Sequence, residues 1–189
     1  MVIMQAITSR LQTHITIDGK EYALVQSYRA AFTAWEALQA VKDGRITNAL
    51  TAYYIVIGVM LEVDADIFEV DALNEAVAEI VKYLEKYSAI GDEDKTDTTQ
   101  VMCLEQDAVM LRDAFRLLGT DLYVDDITYA EFMSKLRLMS TTEAPICRIM
   151  YLRSLIQNGK IKKKEHANER AEIKKIGESI VHLKKWKQN

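Results

Sequence analysis

Proline, cysteine and glycine are all scarce in this chain of 189 residues. The single proline leaves long helices unbroken, and seven glycines are too few for a collagen-like repeat. The two cysteines, Cys103 and Cys147, cannot build a disulfide scaffold and are not spaced as a Cys-x-x-Cys pair. These absences exclude disulfide-rich and fibrous proteins, and they favour packed helices that bury two free thiols.

Long hydrophobic stretches are missing as well. The longest apolar run, residues 52–61, is well short of the roughly 20 residues that a membrane-spanning helix needs. Residues 1–6 read MVIMQA and lack the basic start and long apolar stretch of a secretory signal peptide. We therefore expect a cytoplasmic protein that does not enter a membrane.

No catalytic, cofactor-binding or metal-binding motif can be drawn. The glycines form neither G-x-G-x-x-G nor a phosphate-binding P-loop, no G-x-S-x-G is present, and the three histidines form no H-E-x-x-H pair. Asp92 and Asp94 alternate as in a calcium loop, but Asp97 and Cys103 would then occupy the glycine and glutamate positions. The sequence predicts no catalytic residue, no cofactor and no metal ligand, so we expect a protein that is not an enzyme.

Charge is distributed unevenly along the chain. The formal net charge is −4, yet residues 62–126 carry 18 acidic and 5 basic side chains, whereas residues 160–187 carry 10 basic and 4 acidic ones. Charge segregation of this kind favours protein–protein interaction, either within one molecule, between copies, or with separate partners. The sequence leaves these three alternatives open.

An Asp18-Gly19 pair between two β-favouring runs predicts an N-terminal β-hairpin, because both residues accept the positive φ angles of a type I′ turn. Periodic apolar residues predict about seven helices after it, so the expected fold is mainly α. Local signals set their limits, among them a Ser27 N-cap, a Thr128–Glu131 capping box and a Thr141 or Thr142 N-cap before Pro145. The predicted helices cover about 27–42, 48–61, 71–87, 101–118, 128–139, 141–158 and 160–187.

The chain is expected to comprise the hairpin and helical bundle at 1–159, followed by a basic C-terminal helix at 160–189. This helix is either part of the same domain or appended to it and protruding. An acidic stretch without periodicity, residues 88–100, is the best linker candidate.

The basic helix contains an apolar seam whose members are three or four residues apart, which is typical of a helix that docks on another protein. Its lysines could alternatively form a solvated face, or bind nucleic acid by neutralising phosphates. The scarcity of arginine there makes nucleic acid the weaker alternative. The residues predicted to contact a partner are Ile173, Ile176, Ile180, Leu183, Trp186, Lys162, Lys163 and Lys164.

The order of these motifs resembles one family of tailed bacteriophages and prophages of Gram-positive bacteria, the "gene product fifteen" family. The resemblance runs from about residue 13 to residue 175. It rests on ITIDGKEY at 15–22, EQDA at 105–108, the segment Tyr129 to Leu138, IMYLRS at 149–154 and the lysine-rich tail.

This resemblance implies a tail assembly chaperone, a class of small, largely helical virion morphogenesis factors. Such a chaperone coats the tape-measure protein in the host cytoplasm, recruits tail tube subunits and is absent from the finished particle. The family has a tryptophan pair where this sequence has Tyr129 and Ala130. Two other functions stay open, a structural protein retained in the tail or at the head–tail junction, and a nucleic-acid-binding accessory protein. A homo-oligomer is compatible with all three.

Overall fold

A computed structural model describes residues 11–88, 102, 104–139, 142, 144–162 and 166–182. It confirms the mainly α fold, with an antiparallel hairpin at the N-terminal side of the helices. The described elements are β1 His14–Ile17, β2 Lys20–Ala23, α1 Tyr28–Lys42, α2 Ala49–Leu61, a 3-10 turn at Ala65–Ile67, α3 Val70–Ser88, α4 Leu104–Leu117, α5 Tyr129–Met139, α6 Pro145–Gln157, a second 3-10 turn at Lys160–Lys162, α7 Ala167–Ile176 and α8 Glu178–Val181.

The described residues divide into two compact units. The N-terminal unit contains those up to Ser88 together with Asp126–Met133, and the C-terminal unit contains those from 102 to Asp125 and from Ser134 onward. The chain therefore crosses between the two units just before α5, after Asp125, and again within α5, after Met133. The predicted division at residue 159 stays a prediction. The acidic linker candidate lies outside the described residues, apart from Ser88 at the end of α3.

The hairpin forms as its turn sequence predicts. Asp18 and Gly19 both have positive φ, 48° and 71°, and Ile17 pairs with Lys20 across the turn. Alternation along β1 buries Ile15 and Ile17 while their neighbours are exposed. This strand packs against α3, which gives the two-stranded sheet the support that an isolated hairpin lacks.

Helix α1 begins where predicted, because the Ser27 side chain accepts a hydrogen bond from the backbone N–H of Arg29. The spacing of Ala31, Trp35, Leu38 and Val41 predicts one inward-facing stripe, but of these four residues only Ala31 is completely buried. Small side chains let α1 and α2 approach closely, so the large residues beside them stay only partly buried. The buried residues of α1 are Ala31, Ala34, Ala37 and Ala40.

The apolar run from Tyr53 to Leu61 predicts that this part of α2 is buried on all sides, and the exposure of Tyr54 and Ile55 shows that this prediction is wrong. Ala52, Val56 and Met60 are fully buried, but Leu50 and Tyr54 on another face are nearly half exposed. Apolar composition does not guarantee burial, since it gives no information about which faces the neighbouring elements cover. The N-terminal unit thus carries an apolar face that none of its described elements covers.

The start of α5 packs into the N-terminal unit. Thr128 Oγ1 accepts the N–H of Glu131 at 3.2 Å, which confirms one half of the predicted capping box. Tyr129 and Phe132 join the rings of Tyr28 and Phe32 in an aromatic cluster. Tyr129 is buried.

Helix α6 begins differently from the prediction. Its N-cap is Ala144, which makes no side-chain capping bond, and Pro145 occupies the first turn. Thr142 is used in the preceding turn, where its hydroxyl donates to the carbonyl of Met139 and accepts from the N–H of Ala144. Thr141 lies outside the described residues.

The C-terminal segment is a series of short helical pieces, so the prediction of one continuous helix from Lys160 is wrong. Gly177 has a φ of +104° and follows the last helical residue of α7, Ile176. Only glycine adopts this backbone conformation readily, so α7 ends there and α8 is a separate helix. The predicted seam is therefore not a continuous stripe.

Candidate protein-interaction site

The predicted seam residues have different environments in the C-terminal unit. Ile173 is buried against Leu152 and Val181, and Ile176 packs partly buried against the same cluster. Ile180 is exposed. In this conformation the first half of the seam therefore belongs mainly to the interior of the unit, whereas Ile180 presents its side chain to solvent.

The remaining predicted contacts cannot be placed. Lys163, Lys164, Leu183 and Trp186 lie outside the described residues. Lys162 ends the second 3-10 turn, but its side chain is also outside them. Partner binding through the basic segment stays a prediction.

A buried ion pair that the sequence did not indicate holds the last described residues of this segment. Arg153 of α6 makes two hydrogen bonds with the carboxylate of Asp107 in α4, at 2.6 and 2.8 Å, and both side chains are fully buried. The same guanidinium donates to the carbonyls of Ile180 and Val181. Gln106 adds a hydrogen bond to the carbonyl of His182 at 3.0 Å. Three helices are thereby joined around one cation, a role that spacing along the chain cannot reveal.

A small cavity lies beside the seam. It has a volume of about 320 Å³, and its lining includes three isoleucines together with Arg170, Lys174 and Glu178. Ile173 contributes to its wall, so the predicted seam forms part of a cavity as well as part of the core. Its size is at the lower end for a ligand pocket.

The loop after α4 is held by its own side chains. Arg116 Nε donates to the Asp121 carboxylate at 3.0 Å, and the same carboxylate accepts the N–H of Tyr123 at 3.0 Å. Asp125 in turn accepts the N–H of Asp121 at 2.8 Å. The hydrogen bond from Arg116 holds the pKa of Asp121 below its ordinary value, so the carboxylate stays charged and keeps both partners at neutral pH.

The last residue of α4 and this fastened loop present large apolar side chains to solvent. Leu117 is 73% exposed, Tyr123 68% and Val124 80%. The Arg112 guanidinium lies over the Tyr123 ring at 5.1 Å and limits its motion. We call Leu117, Tyr123 and Val124 the Tyr123 surface. Sequence reasoning missed it because its residues interrupt the helical periodicity and follow no binding motif.

A second apolar surface lies on α2. Leu50 is 47% exposed and Tyr54 45%, Ile55 is exposed beside them, and Gly58 is exposed four residues after Tyr54. The Tyr54 hydroxyl donates to Asp66, and this hydrogen bond raises the pKa of the tyrosine. We call Leu50, Tyr54, Ile55 and Gly58 the α2 surface. The sequence contains a signal for this surface, the 13 successive uncharged residues of α2, but the same pattern also predicts a buried helix.

The described residues provide little for catalysis. No group of three or more His, Cys, Asp or Glu side chains that could hold a metal ion is found among them. Burial raises the pKa of the Cys147 thiol, which donates to the carbonyl of Met139 at 3.1 Å, so its reactive thiolate is disfavoured.

Among the described helices, none combines the length and the apolar character required to cross a membrane. Comparison with known proteins adds no family assignment, because no protein-family model, no curated protein and no solved structure matches this chain.

Proposed function

We propose that this protein is a phage tail assembly chaperone, which binds the tape-measure protein and recruits tail tube subunits. The resemblance of its motif order to the phage family supports the identity of the clients. The Tyr123 surface, in which the end of α4 and a fastened loop expose three large apolar side chains, is the observation that carries protein binding as its mode of action.

The composition of the Tyr123 surface is that of an interface centre. Tyrosine and arginine are enriched among the residues that dominate binding energy, and Tyr123 is stacked against Arg112. Burying an exposed tyrosine, leucine or valine side chain contributes about 1.5–3 kcal/mol each. Because Asp121 and Asp125 already order the loop, binding loses less conformational entropy than it would with a flexible loop.

The charge of the chain is also suited to a chaperone. The residues from 62 to 126 have 13 more acidic than basic side chains. Acidic side chains favour solubility more than basic ones do. A complex between this protein and a long apolar client would therefore keep a charged, soluble exterior while the Tyr123 surface is covered.

Co-expression tests this proposal. The full chain is produced with the tape-measure protein of the same phage or prophage, and the soluble fraction of the client is measured with and without it. We expect the client to be soluble only in the presence of the chain. Tyr123→Asp with Val124→Asp is expected to weaken client capture at least about tenfold, because two exposed contacts of the binding centre become charged.

A matched control uses the N-terminal unit. Ile67→Asp with Val70→Asp also replaces two exposed apolar side chains by carboxylates and is expected to leave capture unchanged. Equal losses in both double variants would show a general effect of charge and overturn the role of the Tyr123 surface. Mass spectrometry of purified particles tests the function itself, since stoichiometric presence there would identify a structural component instead.

A further inference from the structure

The α2 surface offers a second binding site, independent of the proposed chaperone function. Helix α2 contains no charged residue, although Leu50, Tyr54 and Ile55 are exposed. Charges occur only beyond its ends, with Arg45 before it and Glu62, Asp64 and Asp66 after it. An uncharged exposed helix face bounded by charge is typical of a surface that another protein covers.

Three residues of this face have a self-complementary spacing. Leu50, Tyr54 and Gly58 follow one another at intervals of four, so they lie in one row along the helix. A Cβ atom built on Gly58 would meet no atom within 4 Å, so the space above this glycine is empty. Leu50 is a protrusion, Gly58 is a gap, and Tyr54 lies midway between them.

Gly58 has no explanation within the unit. A glycine in a helix interior is about 1 kcal/mol less favourable than alanine, and here neither a positive φ nor a close neighbouring atom requires it. A glycine on an exposed face does allow the side chain of a second helix to approach the backbone closely.

We propose that the α2 surface is the interface of a homodimer in which two α2 helices pack antiparallel about a two-fold axis near Tyr54. This arrangement places Leu50 of each copy over Gly58 of the other. A two-fold interface uses the same patch on both copies, and the row of Leu50, Tyr54 and Gly58 satisfies that condition.

The charges at the two ends of α2 favour the antiparallel arrangement. The N-terminal end carries the positive end of the helix dipole, with Asn48 as its cap. The charge of Arg45 nearby is already paired with Asp43 and Glu36, so the dipole is the positive feature at this end. The C-terminal end is followed by Glu62, Asp64 and Asp66. Antiparallel packing brings the acidic end of one helix to the positive end of the other, whereas parallel packing would bring the acidic ends together.

The interface is expected to be modest. A helix of 13 residues is about 20 Å long, and two such helices bury an area on the order of 1,000 Å², the lower limit for a specific interface. We expect weak, reversible dimers, because the area is at the lower limit. Association should therefore depend on concentration.

Sedimentation equilibrium of the full chain over a wide range of protein concentrations tests the proposal, with Gly58→Leu as the decisive variant. Leucine is a better helix former than glycine, so this variant should fold at least as well as the original chain. By filling the gap, it should weaken dimerisation at least tenfold. A monomer at all concentrations, or a dimer that Gly58→Leu does not weaken, would overturn the proposal.

Cross-linking tests the geometry. In a background with Cys103→Ser and Cys147→Ser, Tyr54→Cys should form a disulfide-linked dimer under mild oxidation, because the two positions meet at the axis. Val70→Cys, an exposed control in the same unit, should not. Efficient linkage of the control but not of Tyr54→Cys would place the dimer contact elsewhere and refute the α2 interface. The client-capture test and the dimer test use different surfaces and different measurements. Failure of the proposed chaperone function would therefore not change the expected dimer results.

Discussion

Arg153 and Asp107 form a two-bond ion pair with both side chains fully buried, at nitrogen–oxygen distances of 2.6 and 2.8 Å. Removing one member leaves the other charge buried without its partner, which costs about 3–5 kcal/mol in comparable sites. We predict that Arg153→Met lowers the free energy of unfolding of the C-terminal unit by about this amount. Urea unfolding followed by circular dichroism measures it.

An exposed pair in the same unit provides the control. Arg148 also contacts a carboxylate, that of Glu172, but its side chain is partly exposed to solvent. Arg148→Met is expected to change stability by less than about 1 kcal/mol, as for other exposed ion pairs. Similar losses for Arg148→Met and Arg153→Met would mean that burial does not determine the strength of the Arg153 pair.

The loop of the Tyr123 surface depends on a charged Asp121. Its folded pKa lies below the unfolded value of about 3.9, so the stabilising contribution is present above that value and is lost as the pH falls through the folded pKa. We predict that the amide of Tyr123 stays protected from hydrogen exchange at pH 5 and loses protection when the carboxylate is protonated. NMR exchange measurements follow this amide.

Asp121→Ala is expected to loosen the loop without loosening the rest of the unit. The Tyr123 amide should exchange at least about tenfold faster in this variant, because its acceptor is gone. Buried amides of α6 should keep their protection. If the Tyr123 amide exchanged at the original rate, Asp121 would not be the residue that orders the loop.

Cys147 is expected to be a slow nucleophile. Burial raises its pKa, so the folded chain holds less thiolate than the unfolded chain, whose thiol pKa is about 8.5. The folded state favours the neutral thiol. This contribution to the free energy of unfolding is present below the unfolded pKa and is lost as the pH rises through the folded pKa. In a Cys103→Ser variant, iodoacetamide should modify Cys147 more slowly in buffer than in urea. Equal rates after correction for urea would contradict its burial.

Local chemistry explains which parts of the fold were predictable from the sequence. The Asp18–Gly19 turn, the Ser27 cap and the Thr128 cap each depend on residues close together in the chain. The exposure of Tyr54 depends on which elements cover α2, and sequence periodicity does not contain that information.

The interaction surfaces were harder to predict for the same reason. Arg153 and Asp107 are separated by 46 residues, and nothing in their neighbours marks them as a pair. Ile173 and Ile180 have the spacing of one helical seam, but the break at Gly177 gives them different environments.

Substitution of Gly177 tests whether the C-terminal segment is broken or forms a continuous helix, because the two structures predict opposite changes in the free energy of unfolding. With φ at +104°, alanine at this position would be strained, and we predict that Gly177→Ala lowers the free energy of unfolding by about 1 kcal/mol or more. In a continuous helix the same change would raise it by about 1 kcal/mol, because alanine is the better helix former. Gly58→Ala, at a glycine inside α2, is the matched control and should be stabilising. Stabilisation by both substitutions would mean that α7 and α8 form a single helix.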